Sequence, residues 1–566
     1  MAKSFFEIVK GKEKMFKKSF LLLAAFLCCV CATAAEVLKK KALIVMVDGL
    51  RADALDTFKP ATMTKLMKGQ WKPGYKGAWT LCARTIPDAP AHSAPNHAAI
   101  ATGVTAAKHK VTVNGTTKNG NWKEWPSWLH RLKKAQPDKK VLFIHAWSES
   151  GLIDPNPLVT RVGKSDWGNT TVYPKMITEK DCPDAIMYYI NGPDGGGHGT
   201  GFYPYGDNYS QTIQLADRYL ALMLDCISKR PSFAKEDWLI QIVADHGGYG
   251  LGHGQPGGQS DTVPLIMAGR NIVNGKLAGT PSVTDLPVTA LEFMGVSTAK
   301  MNLDGKVIGN KLSTEKPAKN LFDGLETYMI FSRRPLPVNR AKMAIKTTRT
   351  GTGVASASRR FMFFNNTLKC ENLKTKDGKF APQGMIFNGL EKLKMTKDQY
   401  FTLTFWVRLP AKQPGDSVII GNKLQSEDAK TGFYISAARK TFNKAKGPGV
   451  VLNFKDSKGS KSFAMGTYDI EPNRWNFYAV TVTPDNALYF FQGRRDGYLH
   501  WFVEKCEGTL NNGNPWYISQ PAKGTNAANL DAEIDDMAVW NRNLTTDEIR
   551  KIFEAGRNGF SLEDLK

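Results

Sequence analysis

The sequence predicts an α/β domain on a mostly parallel sheet with helices on both faces, followed by an all-β sandwich domain. Two observations carry this. From Lys41 to about Lys319, short apolar runs bounded by Gly or Asp alternate with stretches of helical spacing. That alternation is the signature of strand–helix units in a parallel sheet. Beyond it, short β-branched and aromatic runs are separated by Gly, Pro, Asn and Asp, as in antiparallel sandwiches.

The first 34 residues read differently. Lys17-Lys18 precede the apolar run "SFLLLAAFLCCVCATAA", which ends in the small residues Ala32-Thr33-Ala34. This predicts a cleaved secretory signal peptide, and hence a secreted or periplasmic protein. An uncleaved anchor is the alternative, but the run is short for a span. No later run is long enough to predict a transmembrane segment.

"ALIVMVDG", "VLFIHAW", "AIMYYING", "WLIQIVADHGG" and "TVPLIMAG" are predicted as buried strands. "APNHAAIATG", "WPSWLHRLKKA" and "YSQTIQLADRYLALMLDCISKR" are predicted as helices. The third carries a stripe through Ile213, Leu215, Leu220, Leu222 and Leu224. The Lys-rich stretch near "STEKPAKNLFDG" reads as a linker, which sets the boundaries at 35–319 and 320–566. The later segments "YFTLTFWVRLP", "SVIIGNKL", "TGFYISAA", "GVVLNF", "WNFYAVTVTPDNALYFFQG" and "EIDDMAVWNR" read as sandwich strands. "TTDEIRKIFEAG" is predicted as a closing helix, capped by Thr545 or Thr546 and ended by Gly556.

The 566 residues carry a formal net charge of +24, with 42% hydrophobic and 23% charged residues. These fractions are ordinary for a globular protein. The Lys-rich excess favours anionic partners or is a solubility feature. No specific nucleic-acid module is present. Beyond the leader, Cys82, Cys182, Cys226, Cys370 and Cys506 show no CxxC spacing, so neither a disulfide scaffold nor a zinc knuckle is expected. Cys370–Cys506 is the first disulfide to test.

Metal-type ligands follow the predicted strands. Asp48 ends "IVMVDGLR", Asp194 and His198 lie in "YINGPDGGGHG", and Asp245, His246 and His253 lie in "IVADHGGYGLGHG". Parallel sheets present their sites at the carboxyl ends of strands, so these residues aim at one crevice. Mixed carboxylate and imidazole ligands suit zinc better than Ca²⁺ or Mg²⁺. Six such residues suffice for two divalent metal ions. Glycines around them are expected to let the loops turn sharply. Ser93, in "HSAPNHAAIATG", reads either as a helix cap or as a nucleophile beside the metals. His92 and His97 read as supporting residues rather than ligands.

The motifs VDGLR, SAPNH, PDGGGH and ADHGGYGLGHG resemble those of the alkaline phosphatase superfamily, and within it the type I phosphodiesterase/nucleotide pyrophosphatase branch. The resemblance covers roughly Lys41 to Lys319 and implies an alkaline-phosphatase-like fold. It implies one zinc on Asp194, His198 and His253, and another on Asp48, Asp245, His246 and the Ser93 oxygen. Ser93 would be the nucleophile of a covalent phosphoseryl mechanism, and Asn96 would donate to a phosphate oxygen. The branch normally has Thr-Phe-Pro-Asn-His here; Ala94 replaces the aromatic, which leaves the substrate open. A phosphomonoesterase is an alternative. So is a sulfatase-like hydrolase, although the Arg of that family's motif is missing.

The second half resembles concanavalin-like, laminin-G-type jelly-roll domains, which implies glycan binding or packing on a catalytic partner. A glycan-binding surface protein with a relic catalytic domain is therefore the rival from another class. Trp406, Trp475 and Trp540 read as core, whereas Trp501 and Trp516 read as candidate stacking platforms. Asp535 and Asp536 read as a strand-end turn, with Ca²⁺ binding as the alternative.

Overall fold

The computed structural model describes residues 38–178, 182–203, 207–254, 258–315, 318, 320–331, 338–339, 341, 343, 345–350, 354–359, 366–373, 376–378, 383–393, 400–413, 417–423, 431–437, 449–458, 463–467, 470–520 and 529–566. The expected signal peptide lies outside them. No helix among the described residues is long and apolar enough to cross a membrane.

The first sheet has eight strands: β1 (Lys39–Val47), β2 (Lys76–Arg84), β3 (Val141–His145), β4 (Thr160–Gly163), β5 (Ala185–Ile190), β6 (Glu236–Val243), β7 (Thr262–Gly269) and β8 (Gly275–Lys276). Their order is β4-β3-β5-β1-β6-β7-β2-β8. β1 pairs in parallel with both β5 and β6, whereas β7 is antiparallel to its neighbours β6 and β2. Two reversals restore direction, so β2 runs with β1. The chain therefore leaves β1, β2, β5 and β6 at the same edge. β1, β5 and β6 are near-continuous apolar runs because both faces of the sheet are covered. The sequence reading found β1, β3, β5, β6 and β7. It passed over β2, which mixes Lys76, Thr80 and Arg84 into its run, and the short β4 and β8.

The three predicted helices are present, at Ser93–Thr102, Trp128–Ala135 and Asp207–Ser228. The long helix departs from its predicted stripe. Its buried residues include Ile213, Ala216, Leu220, Met223, Leu224 and Ile227, while Leu215 and Leu222 face solvent. The buried set keeps the three-and-four spacing that a helical face requires.

The second region is an antiparallel β-sandwich of two sheets. Its first strand, Leu325–Ile330, pairs with Ala532–Trp540. One sheet is apolar on both faces. Along Ala487–Arg494, Leu488 and Phe490 enter the sandwich core, while Tyr489 and Phe491 join the core of the first domain. Along Leu499–Lys505, Phe502 and Trp501 divide in the same way. A strand turns alternate side chains to opposite faces, so this sheet is shared between two cores. Arg84 crosses the seam, donating to Glu504 Oε2 at 3.0 Å and to the Val503 carbonyl at 2.9 Å.

This arrangement corrects several expectations. Trp501 is buried against the first domain and Trp516 lies inside the sandwich, so neither is an exposed platform. Trp406, Trp475 and Trp540 are buried, as expected. The five cysteines among the described residues are buried free thiols, so Cys370 and Cys506 are not paired. Asp535 and Asp536 lie within the Ala532–Trp540 strand rather than in a turn at its end, and Asp536 Oδ1 accepts from Tyr328 Oη at 3.0 Å. Thr545 caps the closing helix through a reciprocal box with Glu548, but the helix runs on through Gly556 to Arg557.

Candidate functional site

Four loops meet at the carboxyl edge of the sheet. Asp48 leaves β1, Ser93 follows β2, Asp194 and His198 follow β5, and Asp245 and His246 follow β6. The PDGGGHG segment is a helix, Gly192–Thr200, rather than a loop. Helical spacing sets Asp194 and His198 one above the other, with His198 Nε2 3.4 Å from Asp194 Oδ1. Gly196 and Gly197 serve close packing rather than sharp turning. A Cβ on Gly196 would meet Thr212 Oγ1 at 2.3 Å, and one on Gly197 would meet the Phe202 ring at 2.5 Å. Gly49 does need its freedom: it has φ +68°, and a Cβ there would meet Asp194 Cα at 2.8 Å.

His246 Nε2 is the hub of one ligand group. It lies 3.0 Å from Ser93 Oγ, 3.2 Å from Asp48 Oδ1 and 3.4 Å from Asp245 Oδ2. A tetrahedral zinc shell with bonds near 2.0–2.1 Å separates its donor atoms by about 3.3 Å. The second group is Asp194, His198 and His253, with His253 Nε2 3.7 Å from Asp194 Oδ1. All three histidines point Nδ1 at a carbonyl: His246 at Gly247, His198 at Leu251 and His253 at Ala91, at 2.7, 2.9 and 2.9 Å. Donation from Nδ1 leaves Nε2 able to coordinate a metal ion, the arrangement that usually supports a metal-bound imidazole.

The carboxylates carry the same message. Asp48 Oδ1, Asp194 Oδ1 and Asp245 Oδ2 are buried without a hydrogen-bond partner. Burial, with Asp245 nearby, raises the Asp48 pKa. Burial and Asp48 push Asp194 up to about 8. Asp245 is held low despite its burial, because His246 and His97 face it. Burial opposes charge on His246, but Asp245 and Asp48 outweigh it and raise its pKa to about 10. His253 is lowered to about 3 by burial and by His246, so it stays neutral. Convergent buried carboxylates with orphaned oxygens and a neutral imidazole fit divalent cations, which would displace the protons held here.

Ser93 is the first residue of its helix, and His92 is the cap. The Ser93 hydroxyl therefore faces His246 rather than capping the helix. Asn96 is fully buried. Its Oδ1 accepts from the Ile86 N–H at 3.1 Å, and its Nδ2 donates to the His92 carbonyl at 3.0 Å. In this geometry its amide braces the Ser93 loop and leaves one N–H uncommitted. His92 stands edge-on to His253, with ring centroids 5.5 Å apart.

His97, read as a supporting residue, faces the candidate ligands. It lies one helical turn after Ser93 and is fully buried, with Nε2 3.0 Å from Asp245 Oδ2 and Nδ1 2.9 Å from Ser150 Oγ. Asp48, His97 and Asp245 form a further group with metal-ligand spacing among the described residues, and so do Asp48, Asp194 and His246. The four-residue step from Ser93 was the available signal for His97. Tyr189 was missed; its hydroxyl donates to Asp48 Oδ2 at 2.6 Å.

Residues 42–251 match the family model for type I phosphodiesterase / nucleotide pyrophosphatase. Residues 388–550 match the model for the concanavalin A-like lectin/glucanases superfamily. No curated protein matches the chain. Among solved structures, inactive murine ectonucleotide pyrophosphatase / phosphodiesterase 5 in complex with AMP is 14% identical; the match covers 47% of this chain and 97% of that one, with a TM-score of 0.38. The binding domain of Paraclostridial mosquitocidal protein 1 is 16% identical over 42% of this chain and 53% of that one, with a TM-score of 0.31. The receptor binding domain of botulinum neurotoxin D is 13% identical over 42% and 54%, also with a TM-score of 0.31. The chain thus spans about half the length of each of these two toxin structures. The chain therefore joins a region similar to type I phosphodiesterases / nucleotide pyrophosphatases, residues 42–251, to one similar to the concanavalin A-like lectins and glucanases, residues 388–550.

Proposed function

We propose that the protein is an exported two-zinc hydrolase that cleaves phosphodiesters or nucleotide-type pyrophosphates through a phosphoserine on Ser93. One observation carries the reading: the buried Ser93 hydroxyl stands 3.0 Å from His246 Nε2, where Asp48 and Asp245 also converge. Asp194, His198 and His253 would hold one ion, and Asp48, Asp245, His246 and the Ser93 oxygen the other. The ions would supply Lewis-acid charge, which lowers the pKa of a coordinated hydroxyl and offsets charge on the phosphate.

The protein's own groups supply position. Ser93 attacks phosphorus in line, its Oγ–P bond forming as the bond to the leaving oxygen breaks. The serine proton passes to solvent and the leaving oxygen regains one. Water then cleaves the phosphoserine, so one water is consumed in each cycle. The amino end of the Ser93–Thr102 helix adds favourable potential for the anion. Asn96 fixes the loop that carries the nucleophile, and its remaining N–H is available to a phosphate oxygen.

Parallel assays of aryl phosphodiester, phosphomonoester and sulfate ester with added zinc test this reading. Diester turnover that is lost with chelator and restored by zinc is expected. Faster turnover of the monoester or sulfate would overturn the substrate assignment. Export is tested by sequencing the amino terminus of protein from the extracytoplasmic fraction, which should begin at Ala35.

A further inference from the structure

We infer that Arg51 is a positioning residue for the metal-bearing loops, and that the C-terminal sandwich serves the site by holding Arg51's partner. The inference rests on the metal-site reading above. Arg51 lies three residues after Asp48 and is buried. Its Nη1 donates to the Phe202 carbonyl at 2.6 Å and the Gly248 carbonyl at 3.2 Å. Phe202 follows the helix that carries Asp194 and His198, and its ring packs beside His198 and His253. Gly248 follows Asp245-His246. The Arg51 N–H donates to Tyr209 Oη at 3.0 Å, and that hydroxyl donates to the Gly49 carbonyl at 2.6 Å. One guanidinium thus fixes the spacing of loops from β1, β5 and β6. Its rigid planar fork can do this, whereas a lysine ammonium cannot hold the same set of directions.

The other edge of the fork is bidentate to Asp53, Nε to Oδ1 at 2.9 Å and Nη2 to Oδ2 at 2.6 Å. A buried guanidinium is costly without such a partner. Asp53 Oδ2 also accepts the backbone N–H of Trp501, at 3.4 Å, from the sandwich. The sandwich therefore closes the pocket in which the Arg51–Asp53 pair is dry and fixed. Neither residue belongs to the proposed ligand set.

The test compares full-length wild type, Arg51→Lys, Asp53→Asn and Glu504→Gln. Glu504 lies in the same seam, but the Arg84 side chain bonds Thr262, Val503 and Glu504 rather than the Phe202 and Gly248 carbonyls. Zn²⁺ affinity is measured by competition with a chromogenic chelator, at a temperature where circular dichroism shows each protein folded. Turnover of bis(p-nitrophenyl) phosphate gives kcat and KM. Arg51→Lys and Asp53→Asn should weaken Zn²⁺ binding by about 10- to 100-fold and lower kcat more than they raise KM. Glu504→Gln should lower Tm and keep wild-type Zn²⁺ affinity. Folded Arg51→Lys or Asp53→Asn with wild-type Zn²⁺ affinity would overturn the inference, as would an equal loss in Glu504→Gln. If neither Arg51→Lys nor Asp53→Asn folds while Glu504→Gln does, the pair is a folding element and the inference also fails. Wild type that binds no Zn²⁺ would instead overturn the metal-site reading itself.

Discussion

Ser93 Oγ and His246 Nε2 lie 3.0 Å apart although 153 residues separate them in the chain. The contact exists because β2 and β6 both deliver their following loops to one sheet edge. Replacing Ser93 by Ala removes the proposed nucleophile and leaves six ligand side chains. Turnover should fall by about a thousandfold or more, with the zinc content of the purified protein unchanged. Near-normal turnover would exclude the phosphoserine route.

His198→Ala removes one of three proposed ligands from the more exposed group. Zinc affinity there should drop by more than about 100-fold, while the Asp48–Asp245–His246 group keeps its ion. A stoichiometry falling from two zincs to one by elemental analysis is the expected result. Retention of two would show that His198 is not a ligand.

The metal-free protein should lose stability as pH rises. Burial and Asp48 raise Asp194 from 3.8 to about 8, so its protonated form is favoured in the fold. A raised carboxyl contributes fully below about pH 4, and that contribution drains away as pH climbs through about 8. Chelated protein should therefore show a falling Tm over this window, and saturating zinc should flatten the fall. Identical pH profiles with and without zinc would contradict a metal on Asp194.

Gly197→Ala places a methyl 2.5 Å from the buried Phe202 ring. Overpacking of this kind costs about 1–3 kcal/mol. Because Phe202 packs on His198 and His253, the variant should lose zinc affinity as well as Tm. A stability loss alone would show that the ring adjusts without moving the ligands.

Trp501→Ala should cost about 3–5 kcal/mol, the range for truncating a buried aromatic. Its ring packs at the seam, with Tyr489 5.3 Å away. Denaturant unfolding gives the measurement. A loss under about 1 kcal/mol would place Trp501 outside the interface that holds the two regions together.

Much of the site could be read before any fold was known. Asp48, Asp245 and His246 stand where an apolar run stops, and the other proposed ligands follow within about ten residues of a strand end. The readings that failed share one cause. Trp501 looked like an exposed platform because its segment is less regular than the predicted strands around it. In fact its strand, Leu499–Lys505, and the paired Ala487–Arg494 strand turn alternate side chains to two cores, and only the fold shows the second core. The glycines of PDGGGHG looked like turn residues because glycine is permissive. Only the neighbours Thr212 and Phe202 show that its missing side chain is what matters there.

The sequence by itself determined the α/β and all-β halves, the order of the strands along the chain, and the residue types that gather at their ends. Those follow from local periodicity and from the side chains' own chemistry. Tertiary structure alone decided the β7 reversal that brings Ser93 to the ligands' edge. It also turned one sandwich sheet onto the first domain and spread the Arg51 fork across three loops. These are contacts between segments 150 to 450 residues apart. No local pattern encodes them, because they depend on which faces remain to be buried once each element has formed.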